Sequence, residues 1–186
     1  MRTNPVMIYF GQELGEKGMD EEGFSGRDGR TTIFDYWCVD TIRRWRNGGK
    51  FDGKQLTKEE KKLQSFYSTL LNLCNKEKAL AEGVYYGIQY ANPHCEQYDS
   101  NHIFSYLRGE GKELLLIVTN FSDNNKECAI TVPEEAFAYF GATYSNDKQN
   151  AVELLSGENV EVTFNPFDKT TVTVPANSGV ILKFKF

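Results

Sequence analysis

The sequence has no apolar run long enough to cross a membrane and no long run of basic residues. Its best continuous apolar stretch, residues 114–118, is far shorter than the roughly 18 residues that a membrane-spanning helix needs. The formal net charge is -5, with 21 Lys and Arg against 26 Asp and Glu. Nucleic-acid-binding surfaces need clustered basic side chains, so we expect neither a membrane span nor a nucleic-acid partner.

Potential metal ligands are few, and their spacing does not fit a metal site. The chain contains Cys38, Cys74, Cys95, Cys128, His94 and His102. Because no Cys-x-x-Cys pair occurs, a structural zinc site is not indicated, and we expect no metal and no cofactor. Cys74 falls on the apolar face of a predicted helix, and Cys128 alternates with apolar residues of a predicted strand. We therefore expect both to be buried thiols.

What the sequence does have, at its start, is an unbroken apolar run from Val6 to Phe10 that Gly11 stops. Such a run is typical of a strand that is buried on both faces, as in parallel sheets. A strand of this kind needs neighbours on both sides, yet only five residues precede it. We therefore expect a bare strand edge, and with it either a homodimer or a rearranged N-terminal segment.

Two helices are predicted before residue 78, and the pattern changes to strands after it. The first helix runs around Val39 to Arg46 and ends at Gly48 and Gly49. The second begins at the capping box of Thr57 and Glu60. Its apolar stripe repeats every three or four residues. The stripe consists of Leu63, Phe66, Tyr67, Leu70, Leu71 and Cys74.

From Gly83 onward apolar residues alternate with polar ones in short segments separated by turn residues. This period of two predicts an antiparallel β-sandwich, with a central strand at residues 114–118 and a short helix at residues 133–140. The predicted strand segments are 84–90, 103–107, 114–118, 128–132, 160–164, 172–174 and 180–186. We therefore divide the chain into domains 1–78 and 79–186.

Four segments of the chain resemble the α-amylase family of glycoside hydrolases. Residues 5–13 (PVMIYFGQE) are similar to the last strand of that family's catalytic barrel. The likeness continues through residues 26–37 (GRDGRTTIFDYW), 49–53 (GKFDG) and 63–73 (LQSFYSTLLNL), the last of which resembles the final barrel helix. The resemblance implies one strand, a loop and helices of a (β/α)8 barrel, followed by a C-terminal β-sandwich domain.

The same resemblance implies that the catalytic carboxylates lie on earlier barrel strands. A retaining glycosidase needs a nucleophilic carboxylate and an acid on either side of the scissile bond, and no residue here matches those motifs. The expected function is structural: completing the barrel and one wall of the groove for an α-glucan or maltooligosaccharide. The missing N-terminal barrel portion would be the partner, and the chain alone would be inactive. Any secretion signal would lie upstream, which leaves periplasm, cell surface and cytoplasm open.

Five residues are candidates for the rim of the substrate groove: Gln12, Glu13, Arg27, Asp28 and Trp37. Gln12 and Glu13 either shape the rim of the sugar site or brace the loop, or they satisfy backbone groups where the strand ends. Arg27 and Asp28 either brace their loop or contact sugar. Trp37 either stacks on a sugar face or packs in the interior.

Two other functional classes remain open at this point. The β-domain is rich in aromatic residues, so a carbohydrate-binding module is an alternative that three or more coplanar exposed rings would favour. The rings considered are Tyr85, Tyr90, Tyr98, Phe104 and Tyr106. The third reading is a free-standing α+β protein with an interaction role.

Overall fold

The structure, a computed structural model, describes residues 6–9, 11–16 and 40–186. Its contacts divide the chain into an N-terminal unit, Asn4–Asn72, and a β unit, which contains Leu73–Phe186. Within the described ranges no helix combines the length and the apolar composition that crossing a membrane requires.

The N-terminal unit contains two helices close to the positions that the sequence predicts. A 3-10 turn at Gln12–Leu14 precedes helix α1, Asp40–Arg46, and helix α2, Lys58–Lys76. The capping box before α2 is confirmed: the Thr57 amide donates to the Glu60 carboxylate at 2.8 Å, and the Glu60 amide donates to the Thr57 hydroxyl at 3.2 Å. Helix α1 gives way to a 3-10 turn at Asn47–Gly49, in which Gly48 takes the left-handed conformation (φ 66°) that glycine adopts without strain.

The predicted strand at Val6–Phe10 differs from the structure over its described part. Residues 6–9 belong to no helix or strand, and Val6 and Met7 are 83% and 81% exposed. Phe10 lies outside the described residues. A strand is stable only when its backbone groups pair with a neighbour, and no strand of the described chain pairs with this segment.

The β unit consists of two antiparallel sheets. Six strands form the larger sheet in the order β1-β2-β3-β8-β5-β6, and β4 pairs with β7 in the smaller one. The strands are β1 Val84–Gly87, β2 Ile103–Glu110, β3 Glu113–Asn120, β4 Lys126–Ile130, β5 Gln149–Glu153, β6 Asn159–Val162, β7 Thr170–Val174 and β8 Ser178–Lys185. Helix α3, Lys78–Ala81, precedes them, and helix α4, Glu134–Phe140, follows β4. The arrangement confirms the expected β-sandwich-like domain.

The core of the β unit lies between the two sheets. Leu114, Leu116 and Val118 of β3 point into it, as the continuous apolar run of this central strand predicts. Phe164 and Phe184 stack within it, with ring centroids 3.8 Å apart and ring planes 7° apart. On the other face of the larger sheet Arg108 donates to the carbonyls of Ala79 and Gly83, at 2.9 and 2.6 Å.

Several local predictions need correction. Cys128 is buried as expected, but Cys74 is exposed. Helix α2 has no fully buried residue, so its apolar stripe is only partly covered. The strand predicted through Tyr90 ends at Gly87, and Tyr90 lies in a 3-10 turn. Strand β5 was not predicted from the sequence, because Ala151 is its single buried residue and the rest of the segment shows no clear alternation.

Candidate functional site

The turn after Tyr9 carries the two described rim candidates, Gln12 and Glu13. Gly11 and Gly15 bracket it with φ angles of 76° and 75°, and a side chain at Gly11 would approach the Glu16 side chain to 2.8 Å. The backbone therefore closes a tight 3-10 turn that needs glycine at its first position. The amides of residues 14 and 16 both donate to the Gly11 carbonyl at 3.0 Å, which fixes the turn internally.

Gln12 fastens this turn to the second helix. Its side-chain oxygen accepts a hydrogen bond from the Tyr9 amide at 3.1 Å, and its amide nitrogen donates to the Tyr67 hydroxyl at 2.8 Å. Leu14 is buried, and Leu63 of α2 lies close enough to restrict the space above Gly15. Gln12 therefore satisfies a backbone amide of the preceding segment and links the turn to α2, and its place at the rim of the substrate groove stays a prediction.

Glu13 lies beside Gln12 but is not held in the same way. Its side chain is half-buried and makes no hydrogen bond or ion pair with the described part of the chain. The next carboxylate, Glu16, accepts a short hydrogen bond from the hydroxyl of Thr41, the second residue of α1. Glu16 and Thr41 are turn-positioning residues that sequence reasoning missed, because nothing in the sequence links positions 25 residues apart.

A second polar contact joins the two helices of the N-terminal unit. Arg44 of α1 approaches both oxygens of Glu60 with its Nε, each at 3.1 Å, and a terminal nitrogen makes a short contact as well. The hydrogen bond from Arg44 holds the pKa of Glu60 below its ordinary value, against the opposing effect of desolvation. A carboxylate kept ionised by such a partner is suited to bracing, not to donating a proton to a leaving group.

The other three rim candidates, Arg27, Asp28 and Trp37, lie outside the described residues. Their roles therefore stay predictions. The structure places Gln12, Glu13 and Glu16 in one turn, and Gln12 contacts Tyr67 of α2.

The β unit contains a separate charged cluster around Asp99. His102 lies 2.8 Å from one carboxylate oxygen, His94 lies 3.5 Å from the other, and the Lys126 ammonium lies 3.4 Å away. The hydrogen bond with His102 is the main reason that the pKa of Asp99 is lowered. In the part of the chain with described coordinates, no group of three or more His, Cys, Asp or Glu side chains has a geometry that could hold a metal ion.

The aromatic residues of the β unit do not form a flat binding platform. Tyr98 is 1% exposed and hydrogen-bonds to Gln89 and Ser105, so it belongs to the core. Tyr85 and Phe104 flank Tyr106, but their rings are tilted from it by 33° and 40°. Of the five rings considered from the sequence, no three are coplanar and exposed.

Comparison with known proteins gives a consistent result along the chain. The sequence profile of the family described as alpha amylase, C-terminal all-beta domain, matches residues 94–185. An alpha-amylase of Streptomyces lividans is 30% identical over an alignment that covers 98% of this chain and 17% of that protein. The chain therefore spans less than a fifth of this curated relative.

Two solved structures share the fold over almost the whole chain. The crystal structure of AmyP in complex with maltose is 12% identical, with a TM-score of 0.62, and the match covers 98% of this chain and 32% of that one. The structure of CldA, a cyclomaltodextrin glucanotransferase with a three-domain ABC distribution, is 18% identical, with a TM-score of 0.53 over 96% of this chain and 29% of that one.

Proposed function

We propose that the chain serves as the C-terminal part of an α-amylase-like glycosidase, because residues 94–185 match the profile of the α-amylase C-terminal all-beta domain. In this proposal residues 1–78 form the end of the catalytic barrel and residues 79–186 the attached β domain. The substrate of the whole enzyme is an α-glucan or maltodextrin. The observation that carries the proposal is the sequence relationship to an alpha-amylase over 98% of the chain.

The proposed contribution of this chain is structural completion of the barrel and of one wall of the substrate groove. Support comes from the turn at residues 11–16, where Gln12 and Tyr67 fix the backbone and leave the half-buried Glu13 without a partner among the described residues. A braced turn places polar groups at a substrate without supplying the chemistry. Catalysis would need two further carboxyl groups on opposite sides of the sugar.

The test has two arms. The purified chain is assayed alone for release of reducing sugar from starch, and we expect no more than a blank without protein. It is then co-expressed with the polypeptide encoded upstream of it in its own gene, and we expect starch hydrolysis to appear. Activity of the chain alone would contradict the assignment of a structural role, and an inactive pair that forms a stable complex would contradict the assignment to a glycosidase.

The alternative of a stand-alone carbohydrate-binding module lacks its expected platform. Such a module would be indicated by three or more coplanar exposed rings. The rings of Tyr85 and Phe104 are tilted from the Tyr106 ring, so these three rings form no flat surface. We therefore do not propose that the face carrying Tyr85, Phe104 and Tyr106 binds polysaccharide.

A further inference from the structure

A cavity of about 390 Å³ opens at one end of the β unit. Its walls are residues 109–114 of the β2–β3 hairpin, residues 139–143 at the end of α4, and the side chains of Val84 and Phe186. The volume lies within the range of known small-molecule sites. Neither the barrel-completing role nor the turn at residues 11–16 uses this cavity.

The aromatic wall of the cavity is held in a fixed orientation. Tyr139 is 55% exposed, and its ring packs edge-on against Phe140, with the ring centroids 5.1 Å apart. The Tyr86 ring lies at the same centroid distance, with the two ring planes tilted by 51°. Phe140 lies directly over Gly109, where a β-carbon would come within 2.6 Å of its ring. Glycine at this position therefore lets the ring seat against β2. An exposed ring that is already fixed loses little conformational entropy when a ligand stacks on it.

A pair of tyrosine hydroxyls continues the aromatic wall beyond Tyr139. The hydroxyls of Tyr86 and Tyr90 are 3.0 Å apart, and Tyr90 is 67% exposed. The hydrogen bond with Tyr86 is the main reason that the pKa of Tyr90 is raised to about 12. The Tyr90 phenol is therefore neutral at physiological pH. A phenol hydroxyl can donate as well as accept a hydrogen bond.

The polar wall of the cavity has unused hydrogen-bonding capacity. The side chains of Glu110, Lys112 and Thr143 make no hydrogen bond or ion pair with any described residue. Glu113 also lines the cavity, but its carboxylate lies 2.9 Å from the ammonium of Lys183. One free carboxylate, one free ammonium and one hydroxyl suit an uncharged ligand with many hydroxyl groups better than an ion.

We propose that this cavity binds a short saccharide, with a pyranose ring stacked on Tyr139 and its hydroxyls bonded to Glu110, Lys112 and Thr143. A pyranose has an apolar C–H face and a polar rim, and this combination matches an aromatic ring bordered by donors and acceptors. The choice of an α-linked glucan as the saccharide rests on the proposed function.

The first experiment locates the site on the full chain. The amide resonances are followed by NMR while maltotriose is added to millimolar concentration, with cellotriose as the β-linked comparison. We expect shifts at the amides of Gly111, Tyr139 and Gly141, and weaker shifts with cellotriose. No shift, or shifts confined to the face around Tyr106, would overturn the proposal, and equal shifts with both sugars would overturn the α-glucan assignment.

The second experiment tests the stacking contact with matched variants. Tyr139→Ala should weaken maltotriose binding roughly three- to tenfold, the effect expected from losing one aromatic contact. Tyr139→Phe keeps the ring and should bind within about twofold of wild type. The control is Phe121→Ala, which removes a ring that is 69% exposed at the opposite end of β3, about 20 Å along the strand.

The outcome of these variants separates this proposal from the preceding one. Equal binding by Tyr139→Ala and wild type, with unchanged melting temperatures, would overturn the cavity assignment even if co-expression restores starch hydrolysis. Conversely, weakened binding by Tyr139→Ala alone would support the cavity even if co-expression yields no activity. An equal loss of binding in Phe121→Ala would overturn the cavity assignment, because that ring lies far from it.

Discussion

At the scale of single residues, one side chain links the turn that follows Tyr9 to helix α2. The carboxamide oxygen of Gln12 accepts a hydrogen bond from the Tyr9 amide, and its nitrogen donates to the Tyr67 hydroxyl. One side chain therefore connects the backbone before the turn to helix α2. Tyr67 lies on the apolar stripe predicted for α2, and the sequence gives no reason to expect its polar tip to be used. A tyrosine commonly serves both purposes, since its ring packs while its hydroxyl finds a partner.

The variant Tyr67→Phe tests this contact. It keeps the ring and removes the acceptor, so the free energy of unfolding of the N-terminal unit should fall by about 0.5 kcal/mol, the lower end of the range for an exposed hydrogen bond. The measurement is urea denaturation, with Tyr139→Phe in the β unit as the control, because that tyrosine hydroxyl makes no hydrogen bond with the described residues. An unchanged stability would show that the bond from Gln12 does not hold the turn.

A second residue-scale prediction concerns pH and the Asp99 cluster. The pKa of this carboxyl is lowered by its bond with His102, so the ionised form is favoured by folding. Its contribution to stability is present above the ordinary pKa of about 4 and is lost as pH falls through the lower folded value. Asp99→Asn should therefore flatten the fall in melting temperature between about pH 5 and about pH 3.

The matched control for this titration is Asp147→Asn, which changes an exposed aspartate whose carboxylate makes no bond with the described residues. Differential scanning calorimetry at several pH values measures the slopes. If Asp99→Asn retains the full acid sensitivity of the wild type, the cluster does not couple folding to protonation.

At the scale of elements, the start of α2 shows how much a local pattern can determine. Thr57 and Glu60 were predicted as a capping box from their spacing, and both reciprocal hydrogen bonds are present. The structure adds that Glu60 also receives Arg44 from the neighbouring helix, a contact across 16 residues that no local signal indicates. One carboxylate therefore caps one helix and ties it to another.

Removing the cap gives the element-scale prediction. Thr57→Ala should lower the free energy of unfolding by about 1 kcal/mol, because the Glu60 amide loses its acceptor. The comparison is Ser65→Ala at an exposed position in the middle of α2, where alanine should be neutral or slightly stabilising. The free energy of unfolding of both variants is measured by chemical denaturation. If Thr57→Ala is as stable as Ser65→Ala, the cap makes no contribution to stability.

At the scale of the whole molecule, buried residues are distributed very unevenly. The β unit has a core between two sheets, whereas the helix α2 of the N-terminal unit has no fully buried residue. The central strands β3 and β8 each pair on both sides, and residues 6–9 pair with no strand of the described chain. Local opening should therefore differ greatly along the sequence.

Amide hydrogen exchange measures this difference directly. We expect the amides of β3 and β8 to exchange slowest, those of α2 at intermediate rates, and those of residues 6–9 at nearly the rate of an unfolded chain. Mass spectrometry of peptides covers all three regions in one experiment on the intact chain. Strong protection of residues 6–9 would indicate a paired strand there, as in a dimer formed through that edge.

The sequence by itself determined the elements whose signals are local: the two helices, the cap at Thr57, most strands and the antiparallel arrangement. It also predicted a buried strand at Val6–Phe10, which fails over residues 6–9 because burial and strand pairing come from neighbours that a local pattern cannot supply. Only the tertiary structure decided that Cys74 is exposed, that Gln12 meets Tyr67, and that Tyr139 borders a cavity with Glu110 and Lys112. These contacts join distant positions, and distance along the chain carries no information about which side chains meet in space.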